Sequence, residues 1–409
     1  MASGVPSFGE GDLTGFKYFD RLVPMLDRLH DVGCARDIAG NRALHFDQYC
    51  LLVLLAMFNP VLRSLRALQQ ASQLQKVQRQ LGCPRASLGS LSEAVAVFDP
   101  TRLEAIIGEL LEELPRTRSL CKEQVSQVLL AVDGSVVATL ASLAAAAYLK
   151  DKNGQEHCAW RFHTHFEIDR AVPVRMDVTT AVNGGKTEEK DQLRRHLQAD
   201  HCYVLDRWFG EFRLFNDIVQ AQSSYVCRIR DNSNLDDVQE ERSLTPAAMQ
   251  AGVLRDIVVG MGPWSKPAQR PDHPVRVVLI KTTPHQKTGG RHGGTAGPGS
   301  DGILRIATNM LDVPAEVIAD IYQHRWQIEL FFRFFKHVLG CRHLLSQQQA
   351  GIQIQAYCAI IACLLISLWT GGRPTLRTYE MLCLYFQGWA DLDELTAHLQ
   401  KLQPEQKTK

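Results

Sequence analysis

Apolar and polar residues alternate in two different rhythms along the chain. Up to about residue 125, apolar residues recur every three or four positions, as in HFDQYCLLVLLAMF at 45–58 and TRLEAIIGELLEEL at 101–114. This spacing is typical of helices. From residue 127 the apolar runs become short and rich in β-branched residues, which predicts strands. Five strands are predicted, at 127–140, 160–168, 173–181, 201–206 and 224–231.

The order of these elements predicts the fold class. A short polar helix is predicted from residue 186 to about 197, and FRLFNDIVQAQ at 212–222 forms another. Three strands, a helix, a strand, a helix and a strand indicate an α/β protein with a mixed sheet flanked by helices. Three further strand-like runs follow, at 254–262, 275–283 and 303–310.

A polar edge is predicted on the segment IYQHRWQIELFFRFFKHVLG at 321–340. Tyr322, Arg325, Glu329 and Lys336 lie within about 60° of one another if this segment is one continuous helix. An adjoining apolar arc is predicted to be buried; it consists of Ile321, Ile328, Phe331, Phe332, Phe335 and Leu339. Arg325 and Glu329 are four residues apart, so a solvated face with an intrahelical ion pair is the alternative interpretation.

Two aspartates stand on predicted strands. Asp133 interrupts the apolar run QVLLAVDGSVVATL, and Asp206 ends the strand that begins at residue 201. Burying a lone carboxylate is costly, so Asp133 requires an explanation. It is either a metal ligand or part of a turn at Asp133-Gly134.

Composition narrows the class of protein. The net charge is only +1, which argues weakly against a nucleic-acid partner, although local basic patches still bind phosphates. The chain has 11 cysteines with no CxxC pair, which favours a reduced cytosolic protein over a disulfide framework or a zinc ribbon. The first residues do not have the pattern of a signal peptide. The apolar run at 356–369 is short for a membrane span and is predicted to be a core helix.

Three motifs together resemble a known family. They are the spacing Tyr322-x2-Arg325-x3-Glu329-x6-Lys336, the triplet Asp133-Gly-Ser, and Val204-Leu-Asp206-Arg207-x-Phe209. This combination resembles the bacterial DDE transposases of the insertion-sequence four family, over roughly residues 127–370. One departure is Trp208, where a glycine is common in that family.

The resemblance implies a ribonuclease H-like core with a β-rich insertion and an amino-terminal helical domain. Its catalytic and metal-binding residues would be Asp133, Asp206 and Glu329, holding two Mg²⁺ or Mn²⁺ ions. Tyr322, Arg325, Lys336 and Arg207 would contact DNA. The implied domains are a helical terminal-repeat-binding domain, a core in two parts, an insertion and a helical carboxy-terminal segment, at 1–125, 126–231 with 303–372, 232–302 and 373–409 respectively.

The same resemblance implies the activity. The protein would be a cytoplasmic bacterial transposase acting as a homodimer on double-stranded DNA. It would cleave at terminal inverted repeats, pass through a hairpin and join the ends to target DNA. Two alternatives remain: a metal-dependent DNA nuclease that does not join ends, and an inactive DNA-binding derivative.

Overall fold

A computed structural model gives a mixed α/β protein. It describes residues 22–32, 43–115, 124–139, 147–150, 156–180, 188–262, 270–282, 302–338 and 344–402. Helices form the described part before residue 125, as the apolar spacing predicts. These are α1 (Val23–Asp27), α2 (Phe46–Phe58), α3 (Leu65–Ser72), α4 (Gln75–Leu81), α5 (Leu88–Val97) and α6 (Leu103–Glu113).

The later helices flank or follow the strands. They are α7 (Glu188–Arg195), α8 (Phe212–Gln220), α9 (Pro246–Gln250), α10 (Ala315–His324), α11 (Trp326–Val338), α12 (Gln349–Thr370), α13 (Leu376–Phe386) and α14 (Leu392–Leu402). Side-chain caps explain several beginnings. Ser64, Ser87, Thr245 and Thr375 each accept a hydrogen bond from a backbone N–H in the first turn of α3, α5, α9 and α13.

One sheet contains all the described strands. These are β1 (Val128–Thr139), β2 (Ala147–Lys150), β3 (Glu156–Glu167), β4 (Val172–Thr180), β5 (His201–Leu205), β6 (Ser224–Arg228), β7 (Val238–Glu241), β8 (Val253–Val259), β9 (Val275–Lys281) and β10 (Ile303–Thr308). The spatial order is β4-β3-β1-β5-β6-β10-β9-β8-β7, and β2 also pairs with β3. The run from β4 to β6 has the strand order of a ribonuclease H-like core. β1 is antiparallel to β3 and parallel to β5, and β5 is parallel to β6.

The strands of the predicted β-rich insertion continue this sheet. β10 pairs with β6, β9 with β10, β8 with β9 and β7 with β8, all antiparallel. The five predicted core strands are confirmed within a few residues, but the short strands β2 and β7 were not predicted. The turn interpretation of Asp133-Gly134 is wrong, because β1 runs through both residues without a break.

The sheet has an apolar layer on each face, because successive strand residues point to opposite sides. Leu130 and Val132 of β1 belong to a cluster with side chains of α7 and α8. Leu129 and Ala131 belong to the larger cluster, which includes α10, α11 and α12. Asp133 continues the alternation of Leu129 and Ala131, so it lies on the face that these three later helices cover.

Helix α12 is the centre of the larger cluster. It packs on β4 and on the amino-terminal helices α2, α5 and α6. By length and composition it is the one described helix that could cross a membrane, yet 89% of its most apolar window is buried inside the protein. It is therefore a core helix, as predicted, although it is longer than the predicted run.

The cysteines of the described residues are free and buried. They lie in α2, the loop after α4, β5, β6, α12 and α13: Cys50, Cys83, Cys202, Cys227, Cys358, Cys363 and Cys383. They behave as small apolar core residues, since they occupy the interior of each layer.

Candidate active site

Strand pairing brings Asp133 and Asp206 together. Val132 pairs with Leu205 in the parallel β1–β5 ladder, and each aspartate is the next residue of its strand. Asp133 lies in the middle of β1, whereas Asp206 directly follows β5. Neighbouring strands are about 4.8 Å apart, so the two carboxylates emerge side by side.

Backbone hydrogen bonds orient both carboxylates. The Asp133 Oδ1 atom accepts the N–H of Gly134 at 2.8 Å. The Asp206 Oδ1 atom accepts the N–H of Trp208 at 2.8 Å and so caps the 3₁₀ turn Arg207–Phe209. This turn is anchored by the buried Phe209 and leaves Trp208 41% exposed.

The electrostatics of Asp133 reflect this crowding. Burial, followed by the nearby charge of Asp206, raises the pKa of Asp133 to about 7, while Arg325 acts in the opposite direction. A buried carboxylate beside a second one disfavours negative charge unless a cation is present. The position therefore suits a bound cation.

The third carboxylate lies on α11, beyond a break at Arg325. A continuous helix over 321–340 was predicted, and this is wrong: α10 ends at His324 and α11 begins at Trp326. The N–H of Arg325 bonds the carbonyl of Tyr322, and the N–H of Ile328 bonds the carbonyl of Arg325, so the backbone tightens to three-residue spacing there.

The predicted apolar arc is confirmed. Its described members are at most 7% exposed: Ile321, Ile328, Phe331, Phe332 and Phe335. Leu339 lies outside the described residues. This arc holds α11 against the sheet and so places Glu329 on the side of Asp133.

Arg325 joins the acidic groups to the helix pair. Its Nη2 atom donates to Glu329 Oε1 at 2.8 Å, and its guanidinium lies 5.8 Å from the ring centre of Tyr322. The Arg325 side chain is only 15% exposed, and its charge acts on the Asp133 carboxyl. Burial raises the pKa of Tyr322 to about 12, so its phenol stays protonated.

The other two predicted DNA-contacting residues lie at the margins. Arg207 follows Asp206 directly, is 41% exposed, and has its Nη1 atom 3.7 Å from Asp231 Oδ2. Lys336 lies two turns beyond Glu329 on α11 and is partly exposed. The structure therefore groups Tyr322, Arg325 and the three carboxylates, with Arg207 and Lys336 on either side of them.

An ion pair behind Asp133 was not predicted. Glu189 on α7 pairs with Arg161 on β3, and both are largely buried. A Cβ atom at Gly134 would lie 2.2 Å from the Glu189 carboxylate, so this position needs glycine. The pair lies on the face opposite Asp133, because the Cβ directions of residues 133 and 134 alternate. The glycine of the Asp-Gly-Ser triplet was the available signal.

His163 and His165 are packing residues rather than ligands, which agrees with their burial on β3. They are 3% and 4% exposed, and His163 Nε2 lies 2.8 Å from Thr179 Oγ1. Burial is the main cause that lowers the pKa of His163 to about 4 and that of His165 to about 3. Both imidazoles are therefore neutral at neutral pH.

The acidic residues fit a hard divalent cation by their chemistry. They offer only carboxylate oxygens, which Mg²⁺ and Mn²⁺ prefer. Their oxygens do not all lie within 4.8 Å of one another, since the one described group of three potential ligands that does so is elsewhere. Glu329 is instead paired with Arg325 in this arrangement.

A comparison with protein families decides the family. The model of the family described as "Transposase DDE domain" matches residues 125–365. The chain belongs to this DDE transposase family. The match begins just before β1 and ends within α12, so it contains all three carboxylates.

Curated relatives agree with this family. A putative transposase, y4zB, of Sinorhizobium fredii is 26% identical over 212 residues, covering 51% of this chain and 52% of that protein. A probable transposase for insertion sequence element IS5377 of Geobacillus stearothermophilus is 25% identical over 246 residues, covering 58% of each chain. The chain thus spans about half the length of these relatives.

A solved structure is distantly similar. It is the piggyBac transposase synaptic complex with hairpin DNA, with a TM-score of 0.36 and 11% identity over 89% of this chain and 77% of that one.

Proposed function

We propose that this DDE transposase cuts and joins double-stranded DNA at the ends of an insertion sequence. The observation that carries the proposal is the grouping of Asp133 and Asp206 with the Arg325–Glu329 pair on the same face of the sheet. An acidic centre beside a buried guanidinium suits a phosphodiester, whose oxygens need both a cation and hydrogen-bond donors.

Asp133, Asp206 and Glu329 would hold two Mg²⁺ or Mn²⁺ ions. When bound, such ions activate a water or a 3′-hydroxyl and stabilise the leaving oxygen of an in-line displacement. Asp133 and Asp206 contribute from fixed strand positions. Glu329 contributes from α11 once Arg325 exchanges its carboxylate partner for a DNA phosphate.

The cationic residues position the DNA. Arg325 offers a planar group of donors that matches two phosphate oxygens, and Tyr322 restricts it by packing against its face. Arg207 and Lys336 neutralise phosphates on either side of the scissile bond. This local arrangement suffices for DNA binding although the net charge of the chain is only +1.

The proposed reaction has successive displacements at one site. Hydrolysis at the element end frees a 3′-hydroxyl, which attacks the opposite strand and forms a hairpin. After the hairpin is opened, the same hydroxyl joins the target. Two ends must be processed together, so we propose a homodimer that acts on chromosomal DNA in the bacterial cytoplasm. The amino-terminal helical region would bind the terminal repeats, with 126–231 and 303–372 as the core, 232–302 as the insertion and 373–409 as a further helical segment.

The test is cleavage and strand transfer on labelled DNA that carries both flanking ends, with Mg²⁺ or Mn²⁺. Wild type should nick and join these ends. Glu329→Gln should lower the rate by about a hundredfold or more, because a ligand carboxylate is lost. Glu316→Gln is the matched control, since Glu316 is a partly exposed carboxylate in the first turn of α10.

The alternatives give different products. Cleavage that never proceeds to joining favours a metal-dependent nuclease. End-specific binding without cleavage in any variant favours an inactive DNA-binding derivative. Full activity in Glu329→Gln would refute the assigned role of α11.

A further inference from the structure

A second cluster of metal-ligating side chains lies in the amino-terminal helices. Within the described residues, His30, Asp31 and His45 form the one group of three whose potential ligand atoms all lie within 4.8 Å of one another. His30 and Asp31 belong to the turn after α1, and His45 precedes α2. None of the strands or helices that carry the acidic residues contributes to this cluster.

Hydrogen bonds determine which nitrogen of each ring is available. The Nδ1 atom of His45 lies 2.9 Å from the backbone carbonyl of His30. A carbonyl only accepts, so this Nδ1 atom carries the proton. The Nδ1 atom of His30 lies 3.0 and 3.1 Å from the two carboxylate oxygens of Asp47, which likewise accept. In the neutral rings, both lone pairs are therefore on Nε2.

This pattern is the one that supports metal-binding histidines. Ligating imidazoles usually donate their other N–H group to a carboxylate or a backbone carbonyl, which fixes ring orientation and increases basicity. Here one histidine has each kind of partner. Asp47 is almost completely buried, with 8% of its side chain exposed, whereas 41% of the His30 side chain remains exposed. The support is thus inside the protein and the ligands are at its surface.

The two rings are already next to each other. Their centroids are 3.7 Å apart and their planes differ by 9°. Stacked imidazoles repel each other if both are protonated, which favours the neutral state that a metal needs. Ligands of a tetrahedral Zn²⁺ ion lie about 3.3 Å apart, so the rings would need only to tilt until both lone pairs converge.

We propose that His30, His45 and Asp31 form a binding site for a transition-metal cation of the Zn²⁺ class. Two imidazole nitrogens and one carboxylate oxygen suit Zn²⁺ better than Mg²⁺, unlike the oxygen-only acidic residues. The ion would tie the turn after α1 to the beginning of α2, across the segment 33–42. Its role is therefore to stabilise the amino-terminal helices, not to take part in the displacement at Asp133.

The test is Zn²⁺ titration by calorimetry on full-length protein that has been stripped of metal. Excess Mg²⁺ is included, because Mg²⁺ competes for oxygen ligands but poorly for imidazole. Wild type should bind one Zn²⁺ ion per chain. His30→Ala and His45→Ala should each weaken binding by more than about tenfold, and Asp47→Asn by about 10–100-fold.

His201→Gln is the matched control. The Nδ1 atom of His201 also bonds a backbone carbonyl, that of Ala199, but His201 belongs to no group of three potential ligands among the described residues. Its replacement should leave Zn²⁺ affinity unchanged.

Two further measurements protect the test from misfolded variants. Co²⁺ added to wild type should give visible absorption bands of a low-coordinate site, a measurement that needs no substitution. Zn²⁺ should raise the Tm of wild type but not that of His45→Gln, the conservative variant. Absence of both Zn²⁺ binding and Co²⁺ bands in wild type would overturn the proposal, as would unchanged affinity in the folded His30→Ala/His45→Ala variant.

Discussion

Burial acts in opposite directions on two side chains of neighbouring strands. It raises the pKa of Asp133 on β1 and lowers that of His163 on β3. The physical cause is the same, because a poorly solvated position disfavours the charged form of either group. Asp133 lies beside a second carboxylate, whereas His163 has a neutral hydroxyl partner, Thr179. Only the aspartate is thus poised for a cation.

His163 should make stability depend on pH. Its pKa is about 4 in the folded protein against 6.5 ordinarily, so the unfolded chain takes up the proton first as the pH falls. Its contribution is complete above about pH 6.5 and is lost progressively towards pH 4, by up to about 3 kcal/mol. Urea unfolding of His163→Gln, at several pH values, should show a shallower decline than wild type. His201→Gln, a partly exposed control, should keep the wild-type slope, and equal slopes for all three proteins would refute this account.

At the scale of elements, the break at Arg325 was the main error of prediction. The sequence around it contains no proline or glycine, and Arg and Trp are both compatible with a helix. The tightening is therefore a tertiary effect, since α10 and α11 pack on different parts of the molecule. α10 contacts β6, β8 and β9, whereas α11 contacts β1 and α13.

Sequence patterns were sufficient where burial dictates the residue type. The core strands and the arc of α11 are apolar because both pack in the interior, and Asp133 and Asp206 stood out against such runs. The patterns failed for β2 and β7, which have four residues each, too few for a periodicity. They also failed for His30 and His45, because their contact spans 15 residues and depends on how α1 and α2 pack together. The catalytic assignments themselves came from the family resemblance and stay predictions.

A buried ion pair anchors the segment that leads into α10. Arg276 on β9 bonds both carboxylate oxygens of Asp256 on β8, at 2.8 and 2.7 Å. Its Nη1 atom donates to the carbonyls of Met310 and Leu311 at 3.0 and 3.3 Å. The two side chains are at most 5% exposed. The inserted strands thus hold the approach to the helix that carries Tyr322.

Arg276→Met should destabilise the protein by about 3–5 kcal/mol, because it leaves a buried carboxylate unpaired. Arg276→Met/Asp256→Leu should recover part of this loss, although the loop carbonyls remain without their donor. Urea midpoints measure both changes. Arg255→Met is the control, since Arg255 forms a similar bidentate pair with Glu241 on the exposed side of β8, and little change is expected. A double variant as unstable as Arg276→Met would contradict the proposed cause.

At the scale of the molecule, α12 makes one body of the amino-terminal helices and the sheet. Gln353 and Gln349 of α12 hydrogen-bond the backbone N–H and carbonyl of Val178 on β4, each at 2.8 Å. On its other side, Tyr357 donates to Glu104 of α6 at 2.7 Å, and Glu104 lies 3.5 Å from Arg175 of β4. Polar contacts therefore cross from α6 through α12 to the sheet within an otherwise apolar core.

This arrangement predicts a single unfolding transition. Tyr357→Phe should lower stability by about 1 kcal/mol, because one hydrogen bond to a partly exposed carboxylate is lost. Hydrogen exchange should accelerate equally in α2 and β1, which are separate in sequence but share α12. A double-mutant cycle with Glu104→Gln isolates the pair. Faster exchange confined to the helices would show that the two parts unfold independently.

The position of α12 in the chain also governs the order in which the protein can mature during synthesis. The ribosome makes the amino-terminal helices and the first strands long before residues 349–370, which cover both. Until then these parts keep apolar faces that have no partner, a condition that promotes aggregation. An interrupted gene that stops before residue 349 should therefore yield insoluble chains rather than a smaller working enzyme.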